Sequence, residues 1–188
     1  MSDAIITAMP GASANRNKTM TSAIRSLLLA TIILLLASIP VLAVEEGDQA
    51  PDFTLPSIYQ GQPDISLSGL AGKVVYIDFW ASWCAPCLTS LPLYNDLYHR
   101  YRDQGLEVIG ITVDDPIEDG LEFLADTPLD FPIPADPEGE MMDLYSVYGM
   151  PTSYLIGRDG EVKLVHMGFR DGDIEEIENA IREALASD

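Results

Sequence analysis

The chain contains two cysteines, Cys84 and Cys87, and only Ala85 and Pro86 separate them. Two thiols at this spacing can close a small disulfide. A strand that delivers them to the beginning of a helix would leave Cys84 at the exposed helix N-terminus, where unpaired N–H groups and the helix dipole favour a thiolate. Cys84 is then the candidate nucleophile, and Cys87, one turn later and facing inward, is the candidate resolving thiol. The predicted chemistry is dithiol–disulfide exchange, with the Cys84–Cys87 disulfide as the redox group and no other cofactor.

Two structural roles for the cysteine pair compete with this prediction. A disulfide between cysteines so close in sequence closes only a short loop, which makes it a poor staple. Half of a zinc site is the other alternative, but the remaining ligands could come only from the separated His99 and His166. Because zinc needs four ligands, such a site would require a dimer. A reactive pair with no metal is the preferred interpretation, and both histidines are expected to be structural or solvated.

The segment before the cysteines is predicted to be a buried strand. Residues 74–80 are apolar, β-branched or aromatic except for Asp78, as in a strand that is covered on both faces. An Asp in such a strand is either satisfied structurally or placed to handle protons. The segment from Cys84 to Asp103 has apolar residues at helical spacing, with Pro92 inside, where a proline removes a backbone hydrogen bond and kinks a helix.

The rest of the soluble part predicts alternating strands and helices. Two short edge strands precede the buried strand, and a second buried strand covers 106–113. Asp115, Asp136 and Asp173 are predicted N-caps of three later helices, the second of which ends at Gly149. An extended piece covers 131–135, and 152–156 with 161–167 form a hairpin. This order predicts a single α/β domain with a mixed sheet.

Residues 1–44 differ in character from the remainder. Three basic residues, Arg16, Lys18 and Arg25, precede the apolar run 27–44, a pattern typical of an export signal, with cleavage expected after Ala43. An uncleaved membrane anchor is the alternative, because the run is just long enough to span a bilayer. Met20 is an alternative start. In either case the basic flank predicts that the cysteines lie outside the cytoplasm, in the periplasm or another extracytoplasmic compartment.

The chain is strongly acidic, with a net charge of −20. Residues 45–188 carry 7 basic against 29 acidic side chains, so a nucleic acid partner is not expected. A basic partner or life at high salt would suit this charge, but a solvated acidic surface is the simpler interpretation.

Two motifs together resemble those of thioredoxin-fold oxidoreductases. The first is Asp78-Phe79-Trp80-Ala81-Ser82-Trp83-Cys84-Ala85-Pro86-Cys87 with Pro92 five positions later, and the second is Met150-Pro151-Thr152 before the predicted hairpin. The opening 47–55 and a strand–helix insertion at roughly 107–130 are similar to the exported, membrane-associated branch related to TlpA and the cytochrome-c-maturation thioredoxins. The resemblance covers the chain after residue 44. It implies a thioredoxin fold, with a mixed central sheet flanked by helices, an N-terminal strand extension and the central insertion.

The resemblance also implies roles for residues near the cysteines. Pro151 is expected to be cis and packed against the disulfide, and the backbone of Met150 to pair with an extended substrate strand. Asp78 matches the buried carboxylate of thioredoxins, which is proposed to take the proton from the resolving thiol; a desolvated carboxyl group has a raised pKa suited to this work. A purely structural Asp78 remains the alternative. Trp83 is expected to shield Cys84 and contact substrate, and Trp80 to be core.

The chain departs from several cytochrome-maturation relatives at two positions. They carry a Glu three residues after the second cysteine, where this chain has Ser90, and often an uncharged residue at the position of Asp78. These differences argue against a reductant dedicated to haem apoproteins and leave a broader substrate range open. Ala85 and Pro86 are expected to tune the reduction potential.

The sequence therefore predicts an exported, monomeric protein that acts as a protein-disulfide oxidoreductase, chiefly as a reductant. Its expected partners are protein thiols or disulfides and a membrane electron donor, and the membrane is contacted only through the N-terminal segment.

A peroxiredoxin-like thiol peroxidase is the second hypothesis, although the P-x-x-x-T-x-x-C motif of such peroxidases is absent. A Cu(I) carrier without turnover is the third.

Overall fold

The computed structural model describes residues 43–187, and its centre is a four-stranded mixed sheet. The strand order is β4-β3-β5-β6, with β3 and β4 parallel and the other two pairs antiparallel. The strands are β3 (Val74–Trp80), β4 (Leu106–Thr112), β5 (Thr152–Ile156) and β6 (Val162–Met167). Every residue of β3, β4 and β5 is buried. Burial was predicted for β3 and β4, whereas β5 was predicted as an alternating hairpin strand and is buried as well.

Helices lie on both faces of this sheet. They are α1 (Ala85–Tyr101), α2 (Ile117–Asp126), α3 (Glu140–Tyr145) and α4 (Asp173–Ala186). The side chains of α1, α2 and α4 form one core with alternate residues of the sheet, whereas α3 and the segment before β3 cover the opposite face. Pro92 lies inside α1, as predicted, and short 3₁₀ turns occupy Ser68–Leu70 and Arg102–Gln104.

The predicted N-terminal extension forms a small separate sheet of two strands. These are β1 (Thr54–Leu55) and β2 (Ile65–Ser66), which pair antiparallel. Within the predicted central insertion, β4 joins the main sheet and α2 follows it. The segment 131–135 is extended and is attached by isolated bridges at Pro134 and Ala135. The predicted thioredoxin-like α/β architecture is therefore observed.

The predicted helix caps are wrong in detail. Pro116, not Asp115, is the N-cap of α2, because Pro116 itself is extended with ψ 153° and the helical conformation begins only at Ile117. No side chain caps this helix. Gly139 and Gly172 are the N-caps of α3 and α4. Asp136 instead accepts hydrogen bonds from the backbone N–H groups of Met141 and Met142.

The predicted end of α3 also moves. The helix ends at Tyr145 and not at Gly149, because Ser146 adopts a left-handed conformation with φ 59°.

The predicted signal or anchor at 1–44 lies outside the described residues except for its last two positions, and it stays a prediction. Within 43–187, no helix has the length and apolar character needed to cross a membrane.

Candidate active site

A tight turn carries the chain from β3 into α1. After the last strand residue, Trp80, the backbone N–H of Cys84 donates to the carbonyl of Ala81 at 3.0 Å. Cys84 is the N-cap of α1, in extended geometry, and no acidic side chain lies in the first turn. Ala85 and Pro86 occupy the first two helical positions and are exposed. The first cysteine is thus at the helix N-terminus, as the sequence predicts.

Cys84 and Cys87 form a disulfide with an S–S distance of 2.01 Å and a Cα–Cα distance of 5.3 Å. Cys87 is fully enclosed and Cys84 retains 6% of its surface. The first cysteine is therefore less exposed than the sequence suggested, since the bond to the enclosed Cys87 draws its side chain inward. Trp83 beside it is 68% exposed, so it flanks the disulfide on the surface.

Met150 and Pro151 lie at the same edge of the sheet as this turn. Strand β5 runs antiparallel to β3, and Thr152 pairs with Phe79 near the end of β3. The Met150–Pro151 peptide is cis, the isomer that the resemblance implied. Met150 packs against the core that contains both cysteines, and the carbonyl of Pro151 accepts a hydrogen bond from the backbone N–H of Gly168 at 2.8 Å. The structure thus brings the two predicted motifs together.

Asp78 is buried in the middle of β3, on the face that α1 covers. The hydroxyl of Ser153, its cross-strand partner, donates to Asp78 Oδ1 at 2.6 Å. The other oxygen, Oδ2, is buried and has no hydrogen-bond partner among the described residues. Burial raises the pKa of Asp78 to about 8, and the hydrogen bond from Ser153 opposes this shift only in part.

Two buried tyrosines lie next to Asp78, and the sequence alone did not single them out. The rings of Tyr76, on β3, and Tyr94, on α1, meet edge to face with centroids 5.0 Å apart. Burial and the nearby charge of Asp78 raise the pKa of Tyr94, while contacts with the hydroxyls of Tyr76, Ser90 and Ser153 oppose the shift. The hydroxyl of Ser90 donates to the carbonyl of Cys87 at 3.1 Å. A buried cluster of hydroxyl groups therefore extends from Asp78 towards the second cysteine.

Asp114 is a further buried carboxylate that sequence reasoning missed. It lies two residues after the end of β4 and accepts hydrogen bonds from Ser82, two residues before Cys84. The signal was present in the sequence: parallel strands β3 and β4 end at the same edge of the sheet, so a polar residue after one meets the turn after the other.

The histidines and Trp80 have the structural positions expected of them. Trp80 is fully buried. His99 pairs with the exposed Asp130 at 2.7 Å, and His166 contacts Asp173, the first residue of α4, at 3.2 Å. Among residues 43–187, no three His, Cys, Asp or Glu side chains are grouped so as to hold a metal ion.

Comparison with known proteins agrees with this geometry. Residues 46–165, which include both motifs, match the model of the AhpC/TSA family. The chain belongs to this family. Its AhpC/TSA segment also resembles solved thioredoxin-like structures over most of the described residues. A crystal structure described as thiol:disulfide interchange protein DsbE from Chlorobium tepidum has a TM-score of 0.73 and 44% identity, covering 77% of this chain and all of that one.

Curated relatives of this AhpC/TSA protein carry the name thiol-disulfide oxidoreductase ResA. The protein from Oceanobacillus iheyensis is 40% identical over 124 residues, 65% of each chain, so the match spans just under two thirds of that relative. The protein from Geobacillus kaustophilus is 37% identical over 126 residues, 67% of this chain and 71% of the relative. These matches place the chain among thioredoxin-fold thiol–disulfide oxidoreductases.

Proposed function

We propose that the protein is an exported thiol–disulfide oxidoreductase that reduces disulfides of protein clients through Cys84 and Cys87. The observation that carries this proposal is the disulfide itself, which joins the N-cap residue of a 17-residue helix to an enclosed residue three positions later. A staple would gain little from so short a loop, whereas a redox pair needs one reachable sulfur and one protected sulfur.

Cys84 is the proposed nucleophile. Cys84 is the more accessible residue of the two. The free N–H groups and the positive end of the dipole of α1 stabilise a thiolate there, and no carboxylate in the first turn weakens this effect. His99 and Arg100 in the last turn of α1 complement the negative end of the same helix.

The proposed reaction moves two electrons from the dithiol to the client. The Cys84 thiolate attacks one sulfur of a client disulfide, an S–S bond forms between them, and the other client sulfur leaves as a thiolate. The Cys87 thiol then loses its proton and attacks the Cys84 sulfur, which releases the second client thiolate. The client is reduced, and the protein is left with the Cys84–Cys87 disulfide seen in the structure.

Asp78 is the proposed acceptor of the Cys87 proton. Its pKa of about 8 lies near neutral pH, where a group can both accept and release a proton. Oδ2 has no hydrogen-bond partner within the described part of the chain, so it is free to take the proton directly or through one water. The Ser153 hydroxyl holds the other oxygen in place.

Clients are proposed to dock along Trp83, Met150 and Pro151. This proposal is supported by the exposure of Trp83 and by the position of the start of β5 at the edge of the sheet that carries the disulfide. An extended client strand would pair there with the backbone of Met150. Ala85 and Pro86, exposed between the cysteines, are proposed to tune the reduction potential.

The proposed location is outside the cytoplasm, with residues 1–44 acting as a signal or anchor and a membrane protein returning electrons to the disulfide. Cytochrome c maturation is one candidate pathway for the clients. The relatives' name, thiol-disulfide oxidoreductase, supports the reaction. Ser90 is buried against the Cys87 carbonyl and supplies no carboxylate beside the disulfide, which favours a broader set of clients.

Trapping of clients in the exported compartment tests the proposal. Cys87→Ser is expected to accumulate mixed disulfides because the resolving attack is lost, whereas Cys84→Ser is expected to trap none. Equal trapping by the two variants would contradict the roles assigned to the two cysteines.

The reduction potential of the disulfide tests the direction of electron transfer. A value of about −120 mV, which is that of a strong oxidant, would contradict the proposal that the protein acts as a reductant. A peroxide-consumption assay with a thiol donor separates the reaction from that of a peroxidase.

A further inference from the structure

The carboxylate of Asp114 is bound to the turn that presents Cys84. Ser82 donates to it twice: the backbone N–H lies 3.0 Å from Oδ1 and 3.1 Å from Oδ2, and the hydroxyl lies 2.8 Å from Oδ1. The hydroxyl of Thr112 donates to Oδ2 at 2.7 Å. Asp114 is only 1% exposed. One buried side chain thus joins the end of β4 to the turn after β3.

The contact between Asp114 and Ser82 is a set of specific hydrogen bonds and not only close packing. A buried carboxylate is costly unless donors surround it, and within residues 43–187 no Lys, Arg or His forms an ion pair with Asp114. An ionised carboxylate is the one side chain that offers about four acceptor positions without a donor of its own. It can therefore hold both the N–H and the hydroxyl of Ser82, which a Ser, Thr or Asn at position 114 could not do equally.

Helix α2 packs closely against the Asp114 carboxylate at Gly120. A Cβ atom on Gly120 would lie 2.8 Å from Asp114 Oδ2 and 3.3 Å from Ile58 Cδ1. Any side chain at this position would push the carboxylate away from its present place. The absence of a side chain on Gly120 thus allows the helix to pack against the carboxylate and fix its orientation.

We propose that Asp114 is a positioning residue for disulfide exchange: by clamping Ser82 it fixes the turn 81–84 and hence the direction in which Cys84 faces a client. The inference rests on the proposed function. A displacement of about 1 Å at a reacting atom can reduce a rate as much as about 100-fold, and Ser82 is separated from Cys84 by a single residue.

The test compares the reduced full chain and its variants in exchange with a synthetic peptide disulfide. Asp114→Ala is expected to lower the second-order rate constant at least about tenfold and to abolish the protection of the Ser82 amide from hydrogen exchange. Ser82→Ala retains the backbone bonds and is expected to lose less. Asp114→Asn keeps one acceptor oxygen and is expected to recover part of the rate.

Two further variants separate positioning from stability. Asp136→Ala removes another buried carboxylate that accepts backbone N–H groups, but those belong to α3; it is expected to lower the free energy of unfolding and to leave the rate constant within about twofold. Gly120→Ala displaces the Asp114 carboxylate without removing it and is expected to slow exchange, which gives an answer even if Asp114→Ala does not fold.

The outcomes are distinct. If the Asp114, Gly120 and Asp136 variants all lose stability and none changes the rate constant or the Ser82 protection, Asp114 is structural and the inference is overturned. If the unaltered protein does not exchange with the peptide at all, the proposed function fails, and the positioning role fails with it.

Discussion

At the scale of single residues, the buried carboxyl group of Asp78 makes stability depend on pH. Its pKa is about 8 in the folded protein and about 3.9 in an unfolded chain. Between these values the folded state binds a proton that the unfolded state does not, so the free energy of unfolding falls as pH rises from about 4 to about 8 and is then constant.

Asp78→Asn is expected to remove this dependence, because an amide does not ionise. The variant should gain roughly 5 kcal/mol relative to the unaltered protein at pH 9 and little at pH 4. Urea unfolding of the disulfide form at several pH values measures both quantities. An unchanged slope between pH 4 and 8 would show that the Asp78 carboxyl group does not titrate in this range.

The hydrogen bond from Ser153 is expected to lower the pKa of Asp78, although burial has the larger effect. A donated hydrogen bond favours the charged carboxylate, so Ser153→Ala should raise that pKa further. Carbon-13 NMR titration of the Asp78 carboxyl group measures the shift. Ser90→Ala is the matched control, since it removes another buried hydroxyl that donates to the Cys87 carbonyl instead. Equal shifts in both variants would refute a specific role for Ser153.

At the scale of elements, α1 contains two prolines in different situations. Pro86 is in the first turn, where the missing N–H would have no helical partner, whereas Pro92 is inside the helix and exposed. Pro92→Ala restores a bond to the Leu88 carbonyl and is expected to raise the free energy of unfolding by about 1–2 kcal/mol, less than the full cost of an interior proline because the unfolded chain gains entropy.

Pro86→Ala is the control in this comparison, and only stability is compared. It should give no gain, since no helical hydrogen bond is recovered. Urea unfolding of the disulfide forms distinguishes the two positions. Stabilisation by Pro86→Ala equal to that by Pro92→Ala would show that the position of proline in α1 does not matter.

The elements also show what a sequence can reveal. The apolar run of β3 and the cysteine spacing are local signals. They correctly predicted a buried strand and a disulfide. The predictions of the helix N-caps were wrong because a cap depends on the path of the preceding chain. Asp136, for example, accepts hydrogen bonds from N–H groups of α3 although it lies outside the helix. Ser153 could not be assigned to the site without strand register, since it meets Asp78 only across neighbouring strands. The contact of Asp114 with Ser82 needs only the parallel order of β3 and β4.

At the scale of the whole molecule, charge is distributed very unevenly. Residues 45–188 contain 7 basic and 29 acidic side chains. Several of these cations are already paired, among them Lys73 with Glu107, Arg100 with Glu178 and Lys163 with Asp159. The disulfide therefore lies within a field that is negative overall, although the turn around it contains no charged residue from Ala81 to Cys87. Such a field acts on approaching clients more than on the chemistry itself.

This field is expected to select clients by charge during encounter. The reduced protein should react faster with cystamine, which carries two ammonium groups, than with neutral bis(2-hydroxyethyl) disulfide, and slowest with anionic dithiodipropionate. At an ionic strength of about 0.01 M the Debye length is about 30 Å, and at about 1 M it is about 3 Å. The cation-to-anion rate ratio should therefore fall about tenfold or more between these conditions. Whatever ratio persists at high salt reflects the different leaving thiols. A ratio that is independent of ionic strength would mean that the acidic surface serves solubility alone and does not steer clients to Cys84.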